Sequence, residues 1–477
     1  MVFSSQTFLF VFFPLTLLLY ALARPRMRNT VLLGASMLFY LWGGGWFIGW
    51  LLASITGNWI FGALAARARR NEQSRKLRRV IIASVVFNIG ILGWFKYANF
   101  FVDQLNAVGT TLGYNELAWA TIMLPIGISF FTFQANSYVF DIAKGDATPM
   151  RNPLDFALYV SFFPQLIAGP IVRYHEIAAQ LVKRTFTLDN IGAGMTRFTH
   201  GLCKKVLIAD SVGPIADAAF ASGASPTTGS AWIGILAYTI QIYFDFSGYS
   251  DMAIGLGRVF GFRFPENFKH PYSSASMTEF WRRWHVTLSS WFRDYVYFPL
   301  GGSRGTKLLT YRNLILVFLL TGFWHGANWT FIIWGVYHGF WLIVDRLTGR
   351  NDDPKPLPVL IAKRSLTLLL VMLGWVIFRA ESLTDATAYY QSMIGLTSSS
   401  ENATNIAATL DLQTIATLAL GSLIFLAPRS PAVGLVVEES TTKRSAVYRL
   451  ALVLIALPVT LILILGGTFS PFLYFQF

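Results

Sequence analysis

Residues 319–339 read LLTGFWHGANWTFIIWGVYHG. The stretch is almost wholly apolar, yet it carries two histidines, His325 and His338, an asparagine, Asn328, and four glycines. An imidazole is costly among lipid tails, and glycine weakens a helix. Basic residues bracket the stretch: Arg304, Lys307 and Arg312 precede it, and Arg346, Arg350, Lys355, Lys363 and Arg364 follow it. Positive residues collect on the cytoplasmic side of a membrane, so both flanks are expected on one side. Residues 313–345 must then enter the membrane and come back. His325 lies thirteen residues beyond Arg312, roughly 20 Å of helix in an apolar layer about 30 Å thick. The WHGANW turn is therefore expected deep in the membrane.

Working outward, the rest of the chain is of the same kind. Its 477 residues are 54% hydrophobic and only 13% charged, with a mean hydropathy of +0.51. That is too little charge to cover a soluble protein of this length. Runs near the ~20 residues that cross a bilayer recur throughout, as at 6–23, 80–96, 232–246 and 450–465. The chain is expected to form one all-α polytopic integral-membrane domain over residues 1–477. The first run precedes the first positive charge, Arg24, and so reads as a retained span rather than a secretory signal. The net charge of +14 fits cytoplasmic loops and membrane lipids, and no nucleic-acid partner is expected. The single cysteine, Cys203, excludes an intrachain disulfide, and without a His or Cys cluster no metal is expected.

Charge clusters set an expected topology. Residues 24–28 and 67–79 are rich in arginine and should be cytoplasmic. Spans at 6–23, 31–41, 47–65, 80–96 and about 118–140 then alternate from an external N-terminus, with 99–115 as an external loop. The stretch 154–170 is interrupted by Pro164 and Gly169 and reads as re-entrant. Further spans are expected at 366–378, 414–426 and 450–465. Residues 277–298 differ. Trp281, Trp284, Leu288 and Trp291 recur at helical spacing, and Glu279 can pair with Arg283 one turn on. The spacing predicts an amphipathic helix suited to the membrane surface.

An ionisable group at membrane depth is a functional candidate. His325 can take and return a proton near neutral pH, which suits a general base. Its neighbours Gly322 and Gly326 would let a substrate approach the backbone, and Asn328 could donate to an oxyanion. A core histidine bonded to a carbonyl is the alternative. His285 reads as an interfacial histidine, and His338 as a packing residue. His175, His200 and His270 stand near polar loops. Arg282, Arg283 and Arg293, with Lys269, Arg304 and Arg312, could hold a phosphate-bearing donor or anionic lipid head groups. Cys203 is expected to pack in a helix whose Lys204 and Lys205 face the cytoplasm. Asp245 and Asp251 interrupt an apolar run and should pair with nearby cations.

Taken in order, LPIGISFFTFQANSYVFD, FPQLIAGPIVR, YFDFSGYSDMAIGLGRVFGFRFPENFKHPY, TEFWRRWHVTLSSWFRDYVYFPLGGSRG, GFWHGANWTFIIWGVYHG and GWVIFRAE resemble the MBOAT family, the membrane-bound O-acyltransferases. The likeness is strongest to the bacterial polysaccharide branch that serves alginate O-acetylation. It covers residues 1 to about 385, and the closing PFLYFQF again resembles that branch. The resemblance implies a ring of about eleven spans, with re-entrant and interfacial helices, around a central tunnel. It places the acyltransferase histidine at His325. A second family position, often Asn or Asp elsewhere, falls at His285. Substrate contacts are then expected from Asn328, Trp324, Trp281, Arg282 and Arg283. It implies an inner-membrane protein that binds no cofactor and moves acetyl from a cytoplasmic thioester, acetyl-CoA, to an acceptor on the other side. A separate periplasmic acetyl carrier or transferase, within an exopolysaccharide biosynthesis complex, is the expected partner. A D-alanyl transferase for teichoic acids and a polysaccharide transporter are the competing readings.

Overall fold

The computed structural model describes residues 1–221, 226–349, 356–396, 406, 410–426, 433–439, 442–467 and 472. Arg350, Lys355 and the closing stretch apart from Phe472 lie outside the described residues. Among those described, the secondary structure is helical, without a strand. Five stretches are long and apolar enough to cross a membrane: Pro25–Arg70, Ser74–Thr111, Lys307–His325, Leu357–Arg379 and Lys443–Leu465. Phe8–Leu22 and Leu412–Leu426 are shorter apolar helices. Length and apolarity alone thus mark fewer spans than the eleven expected.

The chain packs as two compact units. The first comprises residues 1–192 and 256–265. It contains α1 (Phe13–Leu22), α2 (Arg28–Gly44), α3 (Ile48–Arg70), α4 (Ser74–Thr111), α5 (Ile128–Lys144), α6 (Pro153–Ser161), the single turn α7 (Phe163–Leu166) and α8 (Tyr174–Val182). The break between α6 and α7 falls where Pro164 and Gly169 predict an interrupted segment. Two expectations are corrected here. Residues 99–111 are not a loop but the continuation of α4, and the fifth helix starts at Ile128, not near 118. α3, α4 and α5 are joined by three buried asparagines. Asn58 and Asn88 exchange amide bonds of 2.9 and 2.7 Å, and Asn88 donates to Asn136 at 2.9 Å. Such interhelical amide bonds fix helix pairs where apolar surface has no preferred partner.

The second unit comprises residues 193–255 and 266–477. It holds most of α9 (Leu188–Cys203), α10 (Asp210–Ala219), most of α11 (Thr228–Val259), α12 (Met277–Trp281), α13 (Val286–Phe292), α14 (Lys307–His325), α15 (Trp329–Leu347), α16 (Leu357–Arg379) and α17 (Leu383–Met393). α14 and α15 are the hairpin that the flanking charges predict. Arg346 at the end of α15 donates to Ser303 just ahead of α14 at 3.1 Å, so the two basic flanks do meet. Each helix has 19 residues, about 28 Å at 1.5 Å per residue. α14 begins at Lys307, below Arg312, so the turn stands farther from the basic end than the count from Arg312 suggested. Asn328 in the turn donates to the carbonyl of Glu381, beyond the end of α16, at 2.7 Å.

The glycines of the opening stretch serve this hairpin. A Cβ on Gly322 would lie 2.3 Å from the Phe331 carbonyl oxygen, and one on Gly335 2.4 Å from that of Phe318. What approaches these backbones is the facing helix, which corrects the expectation that Gly322 leaves room for substrate. A Cβ on Gly326 would likewise meet the Phe331 ring.

The region 277–298 is also corrected. It is not one surface helix but α12, α13 and a π-turn at Arg293–Tyr297. Trp281, Trp284, Leu288 and Trp291 do share an environment, but all four are buried. The Glu279–Arg283 pair forms at 2.8 Å.

Candidate active site

His285 sits at the break between α12 and α13. Its backbone is left-handed, with φ 43° and ψ 54°, a conformation that costs a non-glycine residue about 1–2 kcal/mol. The segment 267–269 holds the kink from both sides: Lys269 N–H donates to the Arg283 carbonyl and Val286 N–H to that of Asn267, each at 2.9 Å. The imidazole is buried, with its Nδ1 3.0 Å from Asn267 Oδ1. That oxygen also accepts the Thr287 backbone N–H at 3.3 Å, and a backbone N–H can only donate. The atom facing it is therefore the amide oxygen. His285 Nδ1 then carries the proton, and Nε2 bears the lone pair. Asn267 itself is anchored by donating to Ser250 at 3.0 Å.

His325 is the last residue of α14, where extended Gly326 ends the helix. It is buried in a cage of rings: Trp324 at 4.9 Å, Trp334 at 5.0 Å, Phe378 at 5.1 Å and Phe331 at 6.4 Å between centroids. Trp324 also stands 6.1 Å from His285, so one indole touches both histidines. The structure thus brings together His325, His285 and Trp324.

A cavity of about 690 Å³ opens in the same unit, lined in part by Trp281, Arg282, Arg293, Phe318, Thr321 and Arg346. Thr321 is one helical turn before His325. Of the six cations singled out in the sequence, Arg282 and Arg293 line this cavity. Arg283 instead pairs with Glu279 and bonds the Lys269 carbonyl, and Arg312 bonds Asn313. Arg346 was grouped with a topogenic cluster in the sequence, and only the return of α15 brings it here. Asn328 caps α15 by accepting Thr330 N–H at 3.1 Å while donating to Glu381. Its amide is occupied in shaping the turn.

The remaining candidates resolve into structural pairs. Asp251 bonds Arg197 at 2.6 Å and Lys204 at 2.8 Å, and Asp245 meets Lys205 at 2.8 Å. The aspartates pair as expected, but the lysines are turned into the protein rather than toward the cytoplasm. Cys203 is buried beside Thr460. His200 is also buried, with Nδ1 2.8 Å from the Tyr448 hydroxyl, and His270 is buried too. His175 bonds Asp141 at 2.9 Å.

A helical membrane chain with two imidazoles around one indole, beside a cationic cavity, fits a transferase of acyl groups. The sequence profile of the membrane-bound O-acyltransferase family matches residues 146–358. The chain belongs to this family and is an O-acyltransferase. It is 47% identical to the probable alginate O-acetylase AlgI of Azotobacter vinelandii, over the full length of both chains. It is 51% identical to the probable alginate O-acetylase AlgI of Pseudomonas aeruginosa, over 82% of this chain and 75% of that one. It is 38% identical to a peptidoglycan O-acetyltransferase of Helicobacter pylori, over 83% of this chain and 80% of the relative.

Proposed function

We propose that this protein is a membrane O-acetyltransferase that takes acetyl from acetyl-CoA and delivers it across the bacterial inner membrane for O-acetylation of an exopolysaccharide such as alginate or cellulose. The observation that carries the reading is the cationic cavity whose lining includes Thr321, one helical turn before His325. Arginines suit the phosphates of coenzyme A. His325 acts as general base on the acceptor hydroxyl. His285, which shares the Trp324 indole with His325, helps to orient the acceptor. The oxygen attacks the thioester carbon, its proton passes to His325, and collapse breaks the C–S bond, the proton returning to the leaving thiolate. The similarity to proteins named as acetylases favours acetyl over D-alanyl transfer to teichoic acids.

The basic helix ends are the cytoplasmic side and the N-terminus is periplasmic. Single cysteines in the 67–79 loop of a Cys203→Ser background should resist an impermeant periplasmic thiol reagent; labelling there would reverse the orientation. A polymer strand is too wide for a histidine enclosed by rings, so the acceptor is a hydroxyl on a periplasmic carrier or transferase. Purified protein with labelled acetyl-CoA and that carrier should transfer acetyl, and His325→Ala should lower the rate about 10²–10⁴-fold without loss of folding. Wild-type turnover by His325→Ala would sink the mechanism. Efficient acetylation of polymer with no second protein would remove the carrier.

A further inference from the structure

Two polar groups beside His325 have no use in the account so far. Trp334 and His338 lie four residues apart on one face of α15, about 6 Å along the axis. They are 1% and 0% exposed, and their rings are 4.7 Å apart. Trp281 Nε1 donates to His338 Nδ1 at 3.3 Å. An indole N–H has no acceptor capacity, so Nδ1 must be bare and the neutral imidazole carries its proton on Nε2. The Nε2–H of His338 and the Nε1–H of Trp334 are both buried without an acceptor among the described residues. Leaving such a donor unmet costs about 1–3 kcal/mol, and two side by side point to an oxygen that arrives with a ligand. α16 packs closely on the His338 tip: Gly374 stands opposite, where a Cβ would lie 2.9 Å from Nε2, so a larger residue there would crowd this donor.

The position of the pair suits an incoming acyl group. Trp281 and Phe318 line the cationic cavity and touch the His338 ring at 5.0 and 6.3 Å. At the other end, Trp334 touches His325 at 5.0 Å. The two donors thus lie between rings that line the cavity and the ring of His325.

We propose that Trp334 Nε1–H and His338 Nε2–H form the oxyanion hole, holding the carbonyl oxygen of the acyl thioester beside His325. As the acceptor oxygen bonds to the carbonyl carbon, the π electrons move onto that oxygen and the two N–H groups stabilise the charge. The C–S bond then breaks, the carbonyl re-forms, and the thiolate takes the proton. This rests on the thioester reading above. It gives Trp334 and His338 direct contact with substrate, where the sequence marks His338 for packing and offers Asn328 or a backbone N–H for the oxyanion.

The test uses full-length protein in lipid nanodiscs with labelled acetyl-CoA. Trp334→Phe keeps a ring and removes the N–H; His338→Leu removes the second donor, and His338→Gln restores one. Loss of one hole donor should lower kcat about 10²–10³-fold with a much smaller rise in KM for acetyl-CoA, and His338→Gln should recover much of the loss. Two unreactive coenzyme A analogues give a binding readout: a ketone that keeps the carbonyl, and S-ethyl coenzyme A, which lacks it. Wild type should prefer the ketone, and the preference should vanish in His338→Leu. Near-normal kcat in Trp334→Phe, or an unchanged preference in His338→Leu, overturns the proposal. If Trp334→Phe does not accumulate in the membrane, the two His338 variants decide alone. If wild type takes no acetyl from acetyl-CoA, the thioester reading fails first, before any variant is compared.

Discussion

Replacing Gly322 by alanine adds one methyl group where two helices are closest. The new Cβ would sit 2.3 Å from the Phe331 carbonyl oxygen and 3.2 Å from its carbon, whereas ordinary contact begins near 3.4 Å. Both neighbours are backbone, so no side chain can swing aside, and the hairpin must open by about 1 Å at this level. Overpacking of this kind costs about 1–3 kcal/mol, partly offset by roughly 0.5–1 kcal/mol from the better helix former. The net loss of stability is modest. The effect on catalysis should be larger, because His325 is three residues away and its ring packs on Phe331 and Trp334 of the opposing helix. A 1 Å misplacement of reacting groups can cost about 10²-fold in rate. The assay is kcat for acetyl transfer alongside the unfolding temperature in one detergent. Gly34→Ala and Gly90→Ala are matched controls, since a Cβ at either site meets nothing within 4 Å, and both should be neutral or slightly stabilising. If Gly322→Ala turned over like wild type, the close contact would not be holding His325 in place.

Asn267→Leu removes the acceptor that fixes the His285 proton on Nδ1. It should lower kcat by about tenfold or more through the wrong tautomer, and Asn267→Asp should recover part of the loss if tautomer control is the cause. Arg282→Gln, and more so its combination with Arg346→Gln, should raise KM for acetyl-CoA by about tenfold per lost charge-assisted contact; KM that stays fixed would detach the cavity from the phosphates. Asn88→Leu cuts the amide links among α3, α4 and α5. At about 0.6–2 kcal/mol per interhelical bond it should lower the unfolding temperature while leaving kcat intact, and calorimetry with one rate assay checks both.

What the sequence discloses follows from which forces act along the chain and which act across it. Hydropathy and charge act locally. They mark α1 to α4, the broken 154–170 segment and the return of α15 toward α14. His325 stands out as a candidate because an imidazole in an apolar run is costly, whereas His285 is marked only by the family resemblance. The form of residues 277–298 is not legible, since the same aromatic spacing serves a surface helix or a buried one broken at His285. The break depends on bonds from the 267–269 backbone, which no periodicity reports. Arg346 and Asn267 escape for a similar reason: each gains its place from a distant segment. The three-asparagine link is equally silent, because each asparagine alone is an unremarkable polar residue in a helix.

The left-handed backbone at position 285 sets a rule for what can stand there. Asparagine, aspartate and histidine enter this conformation far more readily than branched or bulky residues. These are the same three types that the family resemblance places at this second site. The choice among them is therefore filtered by the chain's geometry before any chemistry is asked of the side chain. His285→Asn keeps the bend and removes only the imidazole, whereas His285→Val would contest the bend itself. A lineage exploring new acyl donors or acceptors could exchange the chemical group here in a single step without rebuilding the turn that presents it.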